Sequence, residues 1–363
     1  MNHEIKISPV SESRLGEIDF DDLDFGKVFA DHMVEVDFRD GVWHRPEIKP
    51  YGALSLMPSN TALHYGQAVF EGMKATKHAD GRAVLFRPEL HARRLNRSAA
   101  RLAMAELPEE TFLACLHRLV DLDKAWIPPN EGSSLYVRPF LFANDNTVGV
   151  RPASAYKFMI ITSPVGPYYA KPVRLLAQKA YIRAAVGGVG EAKAAGNYAA
   201  AMLPSMLAQA QGYDQILWLD AVERRYVQEV GTMNIFFVID GEVITPSTDE
   251  GTILSGITRR TILEYLRDAG TPATERRVTV DELIAASEAG TLEEAFGSGT
   301  AAVVSEIESI TVEGRELPIP KRTPDSYAAR VKDFIEGVRS GRLPDDKGYL
   351  VEAGDYEGAG AMA

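Results

Sequence analysis

A single cysteine, Cys115, stands among 363 residues, so the chain can build no intrachain disulfide, no CxxC redox pair and no cysteine zinc cage. Histidine is scarce and confined. All seven (His3, His32, His44, His64, His78, His91 and His117) fall in the first third, and no two stand at i, i+4 around a glutamate, which excludes a zinc-protease helix. Positive charge is short as well: 39 Lys and Arg against 51 Asp and Glu leave a formal net charge of −12, the wrong sign for a general nucleic-acid binder. No apolar run reaches the ~18 residues of a membrane span. The opening MNHEIKISPV has Glu4 and Lys6 with no apolar core behind them, unlike a signal peptide. There is no GxSxG elbow and no GxxxxGK[ST] loop, and Gly187-Gly188-Val189-Gly190 is followed by Lys193 where a dinucleotide fingerprint needs its third glycine. The expectation is a soluble cytoplasmic protein that is neither a metal hydrolase nor a P-loop or Rossmann enzyme.

What is present suits a globular chain of about two domains at ~150 residues each, with 45% hydrophobic and 25% charged residues. The pattern predicts an α+β protein. Residues 1–24 are acidic and patternless and are expected to form a loose lead-in. Residues 25–164 form a smaller N-terminal domain, with a hairpin turning at Asp80-Gly81 and a helix over Pro88–Met104. Prolines and glycine between Thr162 and Pro172 mark the connection, set at 165–172. A larger C-terminal domain occupies 173–350, with strand-like runs QILWLD, RYVQEVG and NIFFVID and helices over Tyr198–Gln211 and Ile257–Ala269. The Gly/Ala-rich tail, 351–363, is expected to be disordered.

Three features carry chemistry. Lys193 lies among Gly187, Gly188, Gly190 and Gly196, where backbone can approach a ligand and an amine can act as a Schiff-base nucleophile; taken alone, it reads more readily as a solvated lysine on a loop. Glu229 shares a strand face with apolar Val227, so its carboxylate requires either an ion pair or a protonated ligand nitrogen. Ser255-Gly256-Ile257-Thr258 opens a helix, and Gly297-Ser298-Gly299-Thr300 forms a second hydroxyl loop; each is an anion site or an ordinary cap and turn. Arg87, at the end of AVLFRP, supplies a fork for the same anion, whereas Arg93, Arg97 and Arg101 read as a solvated helix face. A reactive amine, an acid for a ring nitrogen and an Arg-plus-helix phosphate site together are the parts that hold pyridoxal 5′-phosphate.

These residues resemble the branched-chain amino acid aminotransferases, a group within the fold-type IV pyridoxal-phosphate enzymes. The resemblance runs through FGKVFADHM, LHYGQAVFEGMKA, LFRP, SLYVRPFLFA, GNY, QEVGTMNIFF, ILSGITR and FGSGTA, across most of residues 25–305. It implies a smaller N-terminal α/β domain and a larger C-terminal domain with a β-rich pseudo-barrel, the cofactor between them, in a homodimer. It implies that Lys193 is the catalytic residue joined to the cofactor, that Glu229 meets the pyridine nitrogen and that Tyr198 holds the phenolic oxygen. Arg87, Thr300 and the Ile257 and Thr258 amides would bind the phosphate. Phe25, Tyr65, Phe70, Tyr136, Tyr168, Thr232 and Ala301 would line the substrate pocket, with Arg138 meeting the side-chain carboxylate of glutamate. The chain departs from some animal members in lacking a CxxC after GTA, which argues against thiol redox control. The implied reaction is transamination of L-leucine, L-isoleucine and L-valine with 2-oxoglutarate. Rivals are a D-amino acid aminotransferase, an aminodeoxychorismate lyase, or a catalytically silent binding protein of the same shape.

Overall fold

Strand alternation organises the first sheet. Along Ser134–Ala143, Leu135, Val137 and Leu141 are buried while Tyr136, Arg138 and Phe140 stay half-buried, the period of two that a pleated strand imposes. This computed structural model describes residues 4–167, 171–354 and 356. The chain divides into two units, one of Met1–Tyr168, Lys193–Ala195 and Glu336–Ala363, the other of Tyr169–Ala192 and Gly196–Ile335.

The first unit holds a ten-stranded sheet in the order Lys6–Ile7, Glu47–Pro50, His32–Arg39, Tyr156–Val165, Ser134–Ala143, Met73–Lys77, Ala83–Phe86, Leu350–Glu352. Val42–Trp43 and Ala68–Phe70 pair onto its third and fifth members. The predicted hairpin at Asp80-Gly81 joins Met73–Lys77 to Ala83–Phe86, with Gly81 at φ 88°. Its helices are α1 (Thr61–Tyr65), α2 (Pro88–Arg101) and α3 (Glu109–Leu122). Arg93, Arg97 and Arg101 of α2 are exposed as expected, and Leu95, Ala99 and His91 are buried on the opposite face.

Two expectations fail here. The lead-in is not loose: Lys6–Ile7 pairs in parallel with Glu47–Ile48, and Ser13 Oγ and the Arg14 amide donate to Asp31. The cause is Asp31 itself, a buried carboxylate that needs donors, with Trp126 Nε1 supplying a third. The tail does not begin at 351 either, because Leu350–Glu352 pairs antiparallel with Ala83–Phe86 and completes that sheet edge. The rest of the tail, apart from 352–354 and 356, lies outside the described residues.

The second unit holds a nine-stranded sheet in the order Val227–Val230, Gln215–Leu219, Val173–Gln178, Val303–Val312, Leu292–Gly299, Asn234–Ile239, Glu242–Thr245, Ala273–Glu275, with Arg315–Pro318 beside Val303–Val312. Its core packs Leu217, Leu219, Val230, Ile235, Phe237 and Ile310, all fully buried. Helices α4 (Ala195–Ala210), α5 (Ile257–Asp268), α6 (Val280–Ala289) and α7 (Tyr327–Ser340) follow in chain order. In α4 the face bearing Met202, Leu203, Met206 and Leu207 is exposed; Pro204 and Ala208 are buried instead, Ala208 beside Ile216 and Trp218. Among the described residues no helix is long and apolar enough to cross a membrane.

Candidate active site

In the first unit the candidate side chains converge on one ring. Lys193 Nζ lies 4.7 Å from the Phe70 ring centre and Arg138 Cζ lies 4.8 Å from it. Arg138 Nη2 donates to the Tyr136 hydroxyl at 2.9 Å, and the Phe25 ring meets Tyr136 edge-on at 5.0 Å. Gly72 makes room: a Cβ there would overlap the Tyr136 hydroxyl. The Nε of Arg138 is buried and has no hydrogen-bond partner. A buried donor left in that state marks a position where an external acceptor would be welcome. Tyr65 makes its contacts elsewhere, donating to the Val148 carbonyl and facing the His64 ring.

Lys193 is held by its backbone. Its carbonyl accepts from the Phe70 amide at 3.0 Å and its own amide donates to Ser98 Oγ at 3.0 Å. Arg87 caps α2 in the left-handed region, φ 51° and ψ 48°, a conformation costing a non-glycine residue about 1–2 kcal/mol. It is fixed there by the hydrogen bond its amide donates to the Tyr349 carbonyl at 2.7 Å, with its guanidinium 4.6 Å from the Tyr349 ring centre.

In the second unit Glu229 is 2% exposed, and all of Val227–Val230 is buried, so the strand is covered on both faces rather than one. Its carboxylate is paired: Arg183 Nε approaches Oε2 at 2.9 Å and the Leu254 amide donates to Oε1 at 2.7 Å. Arg183 in turn donates to the carbonyls of Thr252 at 2.8 Å and Gly190 at 3.2 Å. The Leu254 carbonyl accepts from Asn234 Nδ2 at 2.9 Å, so one residue links Glu229 to the segment leading into α5. Helix α5 begins at Gly256 without a side-chain cap, and a Cβ on Gly256 would overlap the Asn234 amide oxygen. The uncapped amides beyond it carry the positive end of the helix dipole, a ready anion site. Asn234 is also in register with Ser298, which brings the turn at Thr300 and Ala301 to the same end of the sheet.

A family model for class IV amino-transferases matches residues 68–310. The branched-chain-amino-acid transaminase 1 of Bacillus subtilis (strain 168) is 46% identical over 335 residues, covering 91% of this chain and 94% of the relative. The chain belongs to the class IV aminotransferases. A branched-chain-amino-acid aminotransferase of Mycolicibacterium smegmatis is 43% identical, covering 90% of this chain and 91% of its own length. The branched-chain amino acid aminotransferase from Thermobaculum terrenum, solved in its PLP form, superposes with a TM-score of 0.72 at 25% identity, covering 89% of this chain and 98% of that one. These relatives place it in the branched-chain group and give the α+β fold of fold type IV.

For a class IV aminotransferase, then, the candidates divide. Lys193, Phe70, Tyr136, Arg138 and Phe25 gather in the first unit, where Arg87 also sits; Glu229, Ile257, Thr258, Thr300 and Ala301 belong to the second. Tyr198 is half-buried in the first turn of α4, Thr232 is exposed in the turn after Gly231, and Tyr168 lies outside the described residues. Sequence reasoning missed Arg183, the partner of Glu229, and a fully buried trio in the first unit, Glu71, His91 and Arg94. A carboxylate before a glycine inside an apolar run, as in VFEGM, was the available signal for the trio.

Proposed function

We propose that the protein transfers the amino group of L-leucine, L-isoleucine and L-valine to 2-oxoglutarate, using pyridoxal 5′-phosphate and giving branched-chain 2-oxo acids and L-glutamate. One observation carries the reading: an amine and an arginine share the Phe70 ring, at 4.7 and 4.8 Å. The substrate's reacting end needs the first and glutamate's distal carboxylate needs the second. The residues also fit the cofactor, since a buried Glu229 suits a ring nitrogen and the Gly256 cradle before the uncapped α5 suits a phosphate.

When bound, pyridoxal phosphate supplies an electron sink for the Cα carbanion. Lys193 is the covalent attachment point and moves the Cα proton as the base. Glu229, ion-paired with Arg183, would face the ring nitrogen and hold a proton there. Tyr198 donates toward the phenolic oxygen, and Arg87, Thr300 and the Ile257 and Thr258 amides bind the phosphate. Phe25, Phe70 and Tyr136, which meet in the first unit, would form substrate walls there. Aromatic walls separate side chains differing by one methylene by only ~1–3 kcal/mol, so all three branched-chain acids are accepted. Arg138, with its unpartnered Nε, is the glutamate side-chain ligand.

The test is spectroscopic. L-leucine should shift the visible absorbance of the loaded protein and 2-oxoglutarate should restore it; Arg138→Ala should retain the first response and weaken the second by more than about tenfold in concentration required. No response to L-leucine alongside a response to D-alanine would favour the D-amino acid reading and sink this one.

The protein is proposed to be a homodimer in the cytoplasm. Met202, Leu203, Met206 and Leu207 expose 68%, 49%, 58% and 37% of their surfaces as one stripe on α4, an apolar face larger than isolated surface residues require. Sedimentation should give about twice the 39.7 kDa chain mass, and Met206→Asp should halve it; an unchanged mass for the variant would remove α4 from the interface.

A further inference from the structure

Glu71 is 0% exposed, and a carboxylate with no water must be fully compensated. Arg94 forks onto it, Nε to Oε1 at 2.7 Å and Nη2 to Oε2 at 2.9 Å, while His91 Nδ1 donates to Oε2 at 2.7 Å. Burial alone would raise the Glu71 carboxyl, but Arg94 and His91 outweigh it and hold it well below the usual carboxylate range. Burial also lowers His91 despite Glu71, which leaves the imidazole neutral and the trio uncharged overall. The place of this network in the fold shows what it steadies.

His91, Arg94 and Ser98 lie at i, i+3 and i+7 on one face of α2. Ser98 Oγ accepts the Lys193 amide, and Glu71 directly follows Phe70, whose amide binds the Lys193 carbonyl. A short bridge between Val69 and Ala194 lies beside the second of these bonds. Both anchors of the Lys193 backbone therefore run back to the same helix, one through Ser98 and the other through Arg94, Glu71 and Phe70.

We infer that Ser98 and the buried Glu71–His91–Arg94 trio are positioning residues that fix the backbone of Lys193 to α2 and thereby set where its amine stands during proton transfer. The inference rests on the proposed role of Lys193. An amine that serves first as attachment point and then as base must return to one position in each cycle, and a misplacement of 1 Å in such a group can cost about a hundredfold. Neither Ser98 nor the trio needs to touch the substrate for this.

The experiment uses the full chain with two variants that cut different anchors. Ser98→Ala removes the acceptor of the Lys193 amide; Arg94→Lys keeps the charge but loses the fork on Glu71. Ser309→Ala, a buried serine of the second unit with an unpartnered hydroxyl, is the control. Expected for both variants is a kcat lowered about tenfold or more with KM for L-leucine within about twofold. In the cofactor-free protein, amide exchange should quicken at Lys193 in Ser98→Ala and at Phe70 in Arg94→Lys, with the control like the parent. Unchanged kcat, or exchange at Lys193 and Phe70 no faster than in the control, overturns the inference. Borohydride trapping and peptide mapping on the parent keep the two claims apart: a label away from Lys193 defeats the functional reading, while the exchange result still decides whether the anchors exist.

Discussion

Lys193→Ala is expected to lower turnover by at least about a thousandfold while the protein remains folded, because in the proposed mechanism one side chain supplies both the covalent attachment and the base. The fold should survive for a local reason. What ties this residue into the first unit is its backbone, through the Phe70 and Ser98 bonds, and alanine keeps both. The side chain is only half-buried, and its neighbours Ala192, Ala194 and Ala195 already show that small residues suit the segment. The loss from the Phe70 ring is one cation–π contact, about 0.5–1 kcal/mol at a partly exposed position. Thermal melting should therefore move little while borohydride fixes no cofactor to the protein. Undiminished turnover, or a label transferred to another lysine, would dismiss Lys193 from the role.

The hairpin at Asp80-Gly81 and helix α2 were legible because turn chemistry and a 3.6 period are local. Lys193 and the two hydroxyl loops stand out as candidates because glycines around a lysine and a hydroxyl at a helix start are short-range signals, whereas the substrate-pocket residues come only from the family resemblance. Helix α4 was placed three residues late: Gly196 reads as loop, but Asn197 Nδ2 donates to the Val189 and Ala192 carbonyls, so the helix begins at Ala195. Its inward face was also obscured, since the large apolar residues lie on the exposed side and the buried side is built from small ones. The partner of Glu229 was invisible for a different reason. Arg183 is 46 residues earlier, in a segment without pattern, and only the fold brings a charge of that separation to hand. Arg94 is hidden in the same way, because its partner Glu71 lies 23 residues earlier and the exposed Arg93, Arg97 and Arg101 surround it in sequence.

Glu229→Gln should lose at least about a hundredfold in kcat, and it separates chemistry from architecture only when paired with a second variant. Glutamine keeps the shape of the side chain, but it presents one acceptor where the site has two donors, Arg183 Nε and the Leu254 amide. One donor must then face the new amide nitrogen, and a buried guanidinium is left without its counter-charge. Breaking a buried pair in this way typically costs about 3–5 kcal/mol, so melting should fall along with activity. Replacing both members by apolar residues, Glu229→Met with Arg183→Leu, removes the stranded charge and should restore part of the stability. The restoration is incomplete because the Thr252 and Gly190 carbonyls lose the donors that Arg183 gave them. Activity should stay low in the double variant, since no carboxylate remains to keep a proton on the ring nitrogen. If turnover instead recovered in step with melting, Glu229 would be a structural anion and nothing more, and the ring-nitrogen role would pass to another residue.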